Sequence, residues 1–279
     1  MKLTGRQGRY SFQENKMFYV MQKNLYAEEA FTELVRQLEV QELDFQIVNV
    51  IPFSHEMDPD VNVDGKVFVF GATAMGKIAK AKGWTPGYID DNINYHNLID
   101  NYGGDVFNND CVIVQLGKLI TTSKLPQWPR IFVRPVNDGK SFAGMTMTWQ
   151  ELFDWERKLW EIGYEENSGT TITAEDYIVI SSAKEIHSEY RFFVVDGKVI
   201  TGSQYKLGDR VVYSNMVDKE VYRYAQQMVN IWSPNKAFAI DICRANDRFY
   251  VLEINAINSA GFYHCDMGKL VHALETAFS

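Results

Sequence analysis

Apolar positions give the first outline of the chain. Between Tyr26 and Gln41 they fall near helical spacing (Ala30, Phe31, Leu34, Leu38), and Leu43–Val50 is a short β-rich run. Lys66–Phe70 reads as a buried strand, followed by Gly71 and a helix running to Lys82. Strand, glycine and helix in that order point to an α/β layer with parallel strands. Trp84-Thr-Pro-Gly and Asn101-Tyr-Gly-Gly punctuate the next section, and Cys111–Leu116 reads as a further strand. Arg130–Arg134 is another strand. Trp149–Ile162 carries Leu152, Trp155, Leu159 and Trp160 on one helical face. Two β-hairpins follow, separated by a helix near Lys219–Trp232. Antiparallel strands with interposed helices indicate α+β architecture. The polar stretch Thr121–Trp128, with Pro126 inside it, marks the best boundary. The reading is an arm at 1–16 (Lys2, Arg6, Arg9, Lys16), an α/β domain at 17–125, and an α+β domain with antiparallel sheets at 126–279.

Composition narrows the class. A chain of 279 residues is too long for one small core and too short for three ordinary domains. Hydrophobic residues at 46% and charged residues at 23% exclude a disordered or fibrous chain. No run nears the roughly 20 apolar residues that span a bilayer, so no membrane is expected. The start lacks the apolar core of a signal peptide. Three scattered cysteines (Cys111, Cys243, Cys265) fit reduced thiols, so a cytoplasmic protein is expected. A net charge of −8 argues against nucleic-acid binding along a backbone.

Gly71-Ala-Thr-Ala-Met-Gly76-Lys77 follows a strand and opens a helix, as a phosphate-binding loop does. That motif requires Ser or Thr next, to ligate magnesium, and the chain has Ile78. A glycine-containing strand-to-helix turn is the better reading.

The hairpins concentrate polar groups. Asp196-Gly197 between two β-rich runs signals a two-residue type I′ turn. A regular register from it pairs Arg191 with Gly202, Glu189 with Gln204 and His187 with Lys206. One face then holds His187, Glu189, Arg191, Gln204 and Lys206, and the other Tyr190, Phe192, Val194, Val199, Thr201 and Tyr205. Taken alone this is a solvated polar face over an apolar one. In the second hairpin, Asp241 falls opposite Val251 or Leu252, close to Glu253, and Glu253 and Asn255 share a face. Two carboxylates and an amide oxygen at the end of apolar strands suit magnesium. Acids within such strands are costly if buried unpaired.

At this point the residues resemble an ATP-grasp enzyme. Phe132-Val-Arg134-Pro135, Asp138-Gly-Lys-Ser-Phe-Ala-Gly144, Glu189-Tyr-Arg191-Phe-Phe and Ser203-Gln-Tyr205 appear in order, and Asp241 with Leu252-Glu253-Ile-Asn255 is similar to the family's metal triad. The set resembles a divergent clade of bacteria and phages that includes a eukaryotic cell-division-cycle protein, an assembly factor for a translation initiation factor. It covers residues 128–279; residues 17–120 are similar to the preATP-grasp α/β domain. The chain departs from many members in having Arg134 in place of Lys, Ala239 in place of Arg, and the segment Ala256–Tyr263 after the metal Asn.

The resemblance implies ATP and magnesium as cofactors, with Asp241, Glu253 and Asn255 on the metal. Arg134 and Lys140 contact phosphates, Ile178, Val179 and Ile180 offer backbone to adenine, and Glu189 bonds the ribose. Arg191 and Lys206 steady the γ-phosphate or an acyl-phosphate and are the catalytic candidates. His187 is a bystander, while Tyr263 and His264 line the acceptor side or simply pack. The expected activity is an ADP-forming ligase joining a carboxylate to an amine of a small molecule or peptide. The alternatives are an ATP-binding assembly factor with a protein partner, and a phosphotransferase.

Overall fold

The computed structural model describes residues 16–23, 29–52, 54, 56–122, 124–137, 142–162 and 172–279. Residues 1–15 of the basic arm and Lys140 lie outside them. The first layer is built from β1 (Phe18–Gln22), α1 (Glu29–Val40), β2 (Phe45–Val50), β3 (Met57–Asp58), β4 (Lys66–Phe70), α2 (Thr73–Ala81) and β5 (Thr85–Gly87). Its sheet has the order β3-β2-β1-β4-β5, with β1 parallel to both β2 and β4. β1 is the central strand, and all five of its residues are buried. A strand covered on both faces shows no apolar alternation, which is why the pattern leaves it unassigned.

α3 (Tyr95–Tyr102) leads to a second, antiparallel sheet of order β6-β9-β7-β8. Its strands are β6 (Val112–Gln115), β7 (Ile131–Pro135), β8 (Met145–Met147) and β9 (Tyr177–Ser182), with α4 (Trp149–Ile162) packed on it through Leu152. β6 lies on the N-terminal side of the expected boundary. It precedes the proline-containing stretch, yet it is an edge strand of the sheet formed by the second half. That stretch connects two strands of one sheet.

The third sheet, β12-β11-β10-β13-β14, is antiparallel throughout. It contains β10 (Ser188–Val195), β11 (Lys198–Leu207), β12 (Arg210–Ser214), β13 (Ala237–Ala245) and β14 (Arg248–Asn255), with α5 (Lys219–Ile231) and α6 (Met267–Phe278). Both tight turns have two residues at positive φ, Asp196/Gly197 and Asn246/Asp247, as type I′ requires. Every residue of β10 is buried. Phe192 and Val194 face α5, while Phe193 and Val195 face the first layer and α6. The polar residues at the other end of that second face, Glu189 and Arg191, are buried as well.

Candidate active site

Two hairpin irregularities assemble the site. From the second turn, Ala245 pairs with Arg248 and the register runs regularly to Ile242 opposite Val251. There it slips by one, so that Asp241 stands directly opposite Glu253. The slip makes Leu252 the extra residue of a bulge, a device that re-aims side chains. The regular register expected Val251 or Leu252 opposite Asp241.

The first hairpin slips twice. Arg191 pairs with Ser203 and not Gly202, and Glu189 pairs with Lys206 and not Gln204. Tyr205 becomes the extra residue at the second slip and turns into the site, although alternation assigned it to the opposite face. Gln204 leaves, pairing with Tyr190. His187 is exposed, outside the cluster.

The result is a rung across four strands, Ser203–Arg191–Asp241–Glu253. Arg191 grips Asp241 as a fork, Nε to Oδ1 at 2.8 Å and Nη2 to Oδ2 at 2.7 Å. It also lies 3.8 Å from Glu253. Arg134, at the end of β7 in the facing sheet, reaches Glu253 Oε2 at 3.2 Å. Its Nε is buried without a hydrogen-bond partner, an unused donor beside the cleft. Lys206 Nζ donates to Glu189 Oε1 at 2.9 Å, and Tyr205 Oη donates to Glu189 Oε2 at 2.7 Å. The solvated polar face is therefore excluded: Arg191 and Glu189 are buried, and Asp241 is 0% exposed.

Such burial shifts ionisation. Desolvation, reinforced by Glu253 and Glu189 and opposed by Arg191, pushes the Asp241 carboxyl up to about 6. Burial works against the Arg191 charge, but Asp241 holds that guanidinium above its ordinary value. Burial likewise raises the Tyr205 phenol, with Asp241 and Glu189 adding to it.

Asn255 Nδ2 donates to Glu253 Oε1 at 3.1 Å. Among the described residues no three His, Cys, Asp or Glu side chains cluster to hold a metal. An ion here would draw on two carboxylates and one amide, and would take its other ligands from water or phosphate. Hard oxygen donors in that number fit magnesium and not zinc.

Between the sheets lies a cleft of about 560 Å³ lined by Phe132, Arg134, Glu189, Tyr205, Lys206 and Glu253. It adjoins a second space of about 510 Å³ lined by Phe107, Lys184, Glu185, Ile186 and Asp209, and the two share Phe132, Ile186, Lys206 and Leu252. Together they offer a nucleotide-sized volume. Ile178, Val179 and Ile180 are not on it. They are buried in β9, paired to β6 on one side and β7 on the other, so their main-chain groups are already used. The segment just after β9, Lys184–Ile186, reaches the cleft instead. The signal for it was the end of the β-rich run at Ser182.

Gly71 N–H donates to Asn258 O and Ala72 N–H to Gln22 Oε1. Two amides that a phosphate loop would present are thus occupied. Lys77 is exposed.

Two antiparallel sheets closing on a cleft lined by Arg134, Lys206, Glu189 and Glu253, behind an α/β layer, define an ATP-grasp fold. The family described as "ATP-grasp domain, R2K clade family 2" matches residues 112–273, and the chain belongs to that family. Solved structures share the fold. The ATP-grasp ligase PsnB, complexed with minimal precursor, Mg and ADP, is 13% identical, with 94% of this chain and 97% of that chain covered and a TM-score of 0.54. For the D-cycloserine synthetase DcsG the figures are 10%, 94%, 98% and 0.61. For D-alanine–D-alanine ligase from Bacillus anthracis, complexed with ATP, they are 12%, 87%, 86% and 0.52. No curated protein matches this chain.

Proposed function

We propose that the chain is an ATP-dependent, ADP-forming ligase that joins a carboxylate to an amine through an acyl-phosphate. The observation that carries this reading is the rung of Arg191, Asp241 and Glu253, met by Arg134 from the facing sheet. Phosphoryl transfer asks a protein for alignment and charge neutralisation more than for covalent chemistry. Arg134 and Lys206 line one cleft with Glu189 and Glu253, and Arg191 lies behind them on Asp241, which is the material for both.

In the reaction, a substrate carboxylate oxygen attacks the γ-phosphorus and the bond to ADP breaks. The amine then attacks the acyl carbon, phosphate leaves, and the amine loses a proton. Arg134 offers its free Nε and, with Lys206, holds phosphate oxygens. Arg191 neutralises charge that builds on the acyl-phosphate. Glu189 holds the ribose, while Lys184, Glu185 and Ile186 border the base. Asp241, Glu253 and Asn255 would hold magnesium, which would supply charge neutralisation for the phosphates.

The acceptor is an amino acid or peptide; a PsnB structure with precursor peptide PsnA2 and AMPPNP supports that class by fold alone. The net charge of −8 supports no role for nucleic acid. No helix among the described residues is long and apolar enough to cross a membrane, and the scattered cysteines support a cytoplasmic location. A screen of amino acids and peptides for ADP release, with mass spectrometry of products, tests the reading. Phosphate release that requires both an acid and an amine is the expected result. A stable phosphoester product would make the chain a phosphotransferase, and calorimetry showing no magnesium-dependent ATP binding at millimolar nucleotide would overturn the whole assignment.

A further inference from the structure

Tyr205 belongs to none of the roles assigned above, yet it touches two of them. Its hydroxyl donates to Glu189 Oε2 at 2.7 Å and lies 3.3 Å from Asp241 Oδ2. Glu189 is the ribose carboxylate of the proposed function and Asp241 a metal carboxylate. The phenol carries one proton and so donates to one of the two at a time. Its partners' other oxygens are engaged: Lys206 holds Glu189 Oε1, and the Arg191 fork holds both oxygens of Asp241. The hydroxyl is therefore the neutral group between two ion pairs.

The ring cannot easily turn away. It stacks on Tyr263 with centroids 4.8 Å apart and planes 20° apart, and Tyr263 stacks in turn on Tyr213 at 5.2 Å. The Arg191 guanidinium lies over both Tyr263, at 5.1 Å, and Tyr205, at 5.8 Å. Tyr263 itself sits at φ +50, a left-handed conformation that a bulky residue keeps only when its surroundings hold it there. The bulge that brings Tyr205 into the cleft thus ends in a clamped side chain.

We propose that Tyr205 is a positioning residue that couples the nucleotide subsite at Glu189 to the metal subsite at Asp241. Resting on the nucleotide reading above, this adds a link between its two halves. Coupling of this kind is a free energy shared by two sites, and a double-mutant cycle measures it.

The test uses Tyr205→Phe, which keeps the stacked ring and removes only the hydroxyl, with Glu189→Gln and the double variant. Calorimetry measures MgADP affinity for all four proteins, and the magnesium concentration giving half-maximal ADP binding is read separately. Tyr205→Phe should weaken MgADP about tenfold, the size of one lost hydrogen bond to a charged group. The double variant should be no weaker than the weaker single one. The magnesium midpoint should rise in Tyr205→Phe although Asp241, Glu253 and Asn255 are untouched, a shift that a purely structural loss would not cause at an unchanged melting temperature. Wild-type MgADP affinity in Tyr205→Phe, additive effects in the cycle, or an unmoved magnesium midpoint would each overturn the coupling while leaving the nucleotide site intact. No MgADP binding by the wild-type chain would overturn both.

Discussion

Asp241 is the residue on which the site turns, because it is wholly buried and its charge is met by one arginine. Its carboxyl, pushed up to about 6, lies above its ordinary value of 3.8 in the unfolded chain. The sign follows directly: the Asp241 contribution to folding is fully present below the unfolded value and is lost as the pH rises through about 6. Metal binding has the opposite preference, since a ligand carboxylate must be ionised. Magnesium-dependent nucleotide binding should therefore strengthen from pH 5 to 7 and level off above, as calorimetry across that range would reveal; a flat profile would remove Asp241 from the metal site. Arg191 and Lys206 give a second prediction. Losing a contact to transition-state charge costs about 10²–10³ in rate, so Arg191→Ala and Lys206→Ala should cut turnover by that order while nucleotide still binds, as steady-state kinetics set against calorimetry would reveal. Lys77→Ala, in the helix that follows the turn whose amides are occupied, should leave nucleotide affinity unchanged. The acids were legible in the sequence because ionisable groups stand out in strands as apolar as Ala237–Cys243. Lys184 and Tyr205 were not, since one follows a strand end and the other depends on a bulge.

Elements were more legible than their pairings. The runs at 66–70, 149–162, 198–207 and 249–255 became β4, α4, β11 and, with Arg248 added, β14, because periodicity and turn residues are local properties. Register is not local. Three slips in two hairpins moved Glu253 opposite Asp241 and Lys206 opposite Glu189, and no residue type announces them. α6 is a different miss: Met267, Leu270, Val271 and Leu274 have helical spacing and are all buried. Gly202 has no signature of its own, yet it is a packing requirement of the irregular strand β11. A Cβ there would stand 2.3 Å from Phe192 Cδ1. Phe192 is 0% exposed and packs edge-on to Tyr222, so it has little room to yield. Overpacking of this kind costs about 1–3 kcal/mol. Gly202→Ala should lower the melting temperature by several degrees in a calorimetric scan, whereas Gly208→Ala, with nothing within 4 Å and a φ of +55, should show only the smaller cost of its backbone conformation.

At the scale of the molecule, one core joins the first sheet to the third. Tyr19, Phe68 and Phe70 of the first sheet pack in one cluster with Phe193, Val195 and Ala239 of the third, closed by Phe262 and Leu270. Asn258, also buried, donates to Val69 O at 2.6 Å and Gly87 O at 3.1 Å and accepts from Ile89 N–H, tying the segment after β14 to the first sheet. That segment continues to Gly261 and Tyr263 beside Arg191, so the first layer holds one wall of the reaction centre. Removing it would expose a row of large apolar side chains at about 1.5–3 kcal/mol each, a total comparable to the roughly 5–15 kcal/mol by which a domain is stable. A fragment of residues 126–279 would also lack β6, leaving β9 with an open edge. The fragment is therefore expected not to fold on its own, and the whole chain to unfold in one transition. Circular dichroism and denaturant melts of both check this. A soluble fragment with a cooperative transition at the full chain's midpoint would mean that the shared core contributes little, and that the second half is an independent grasp.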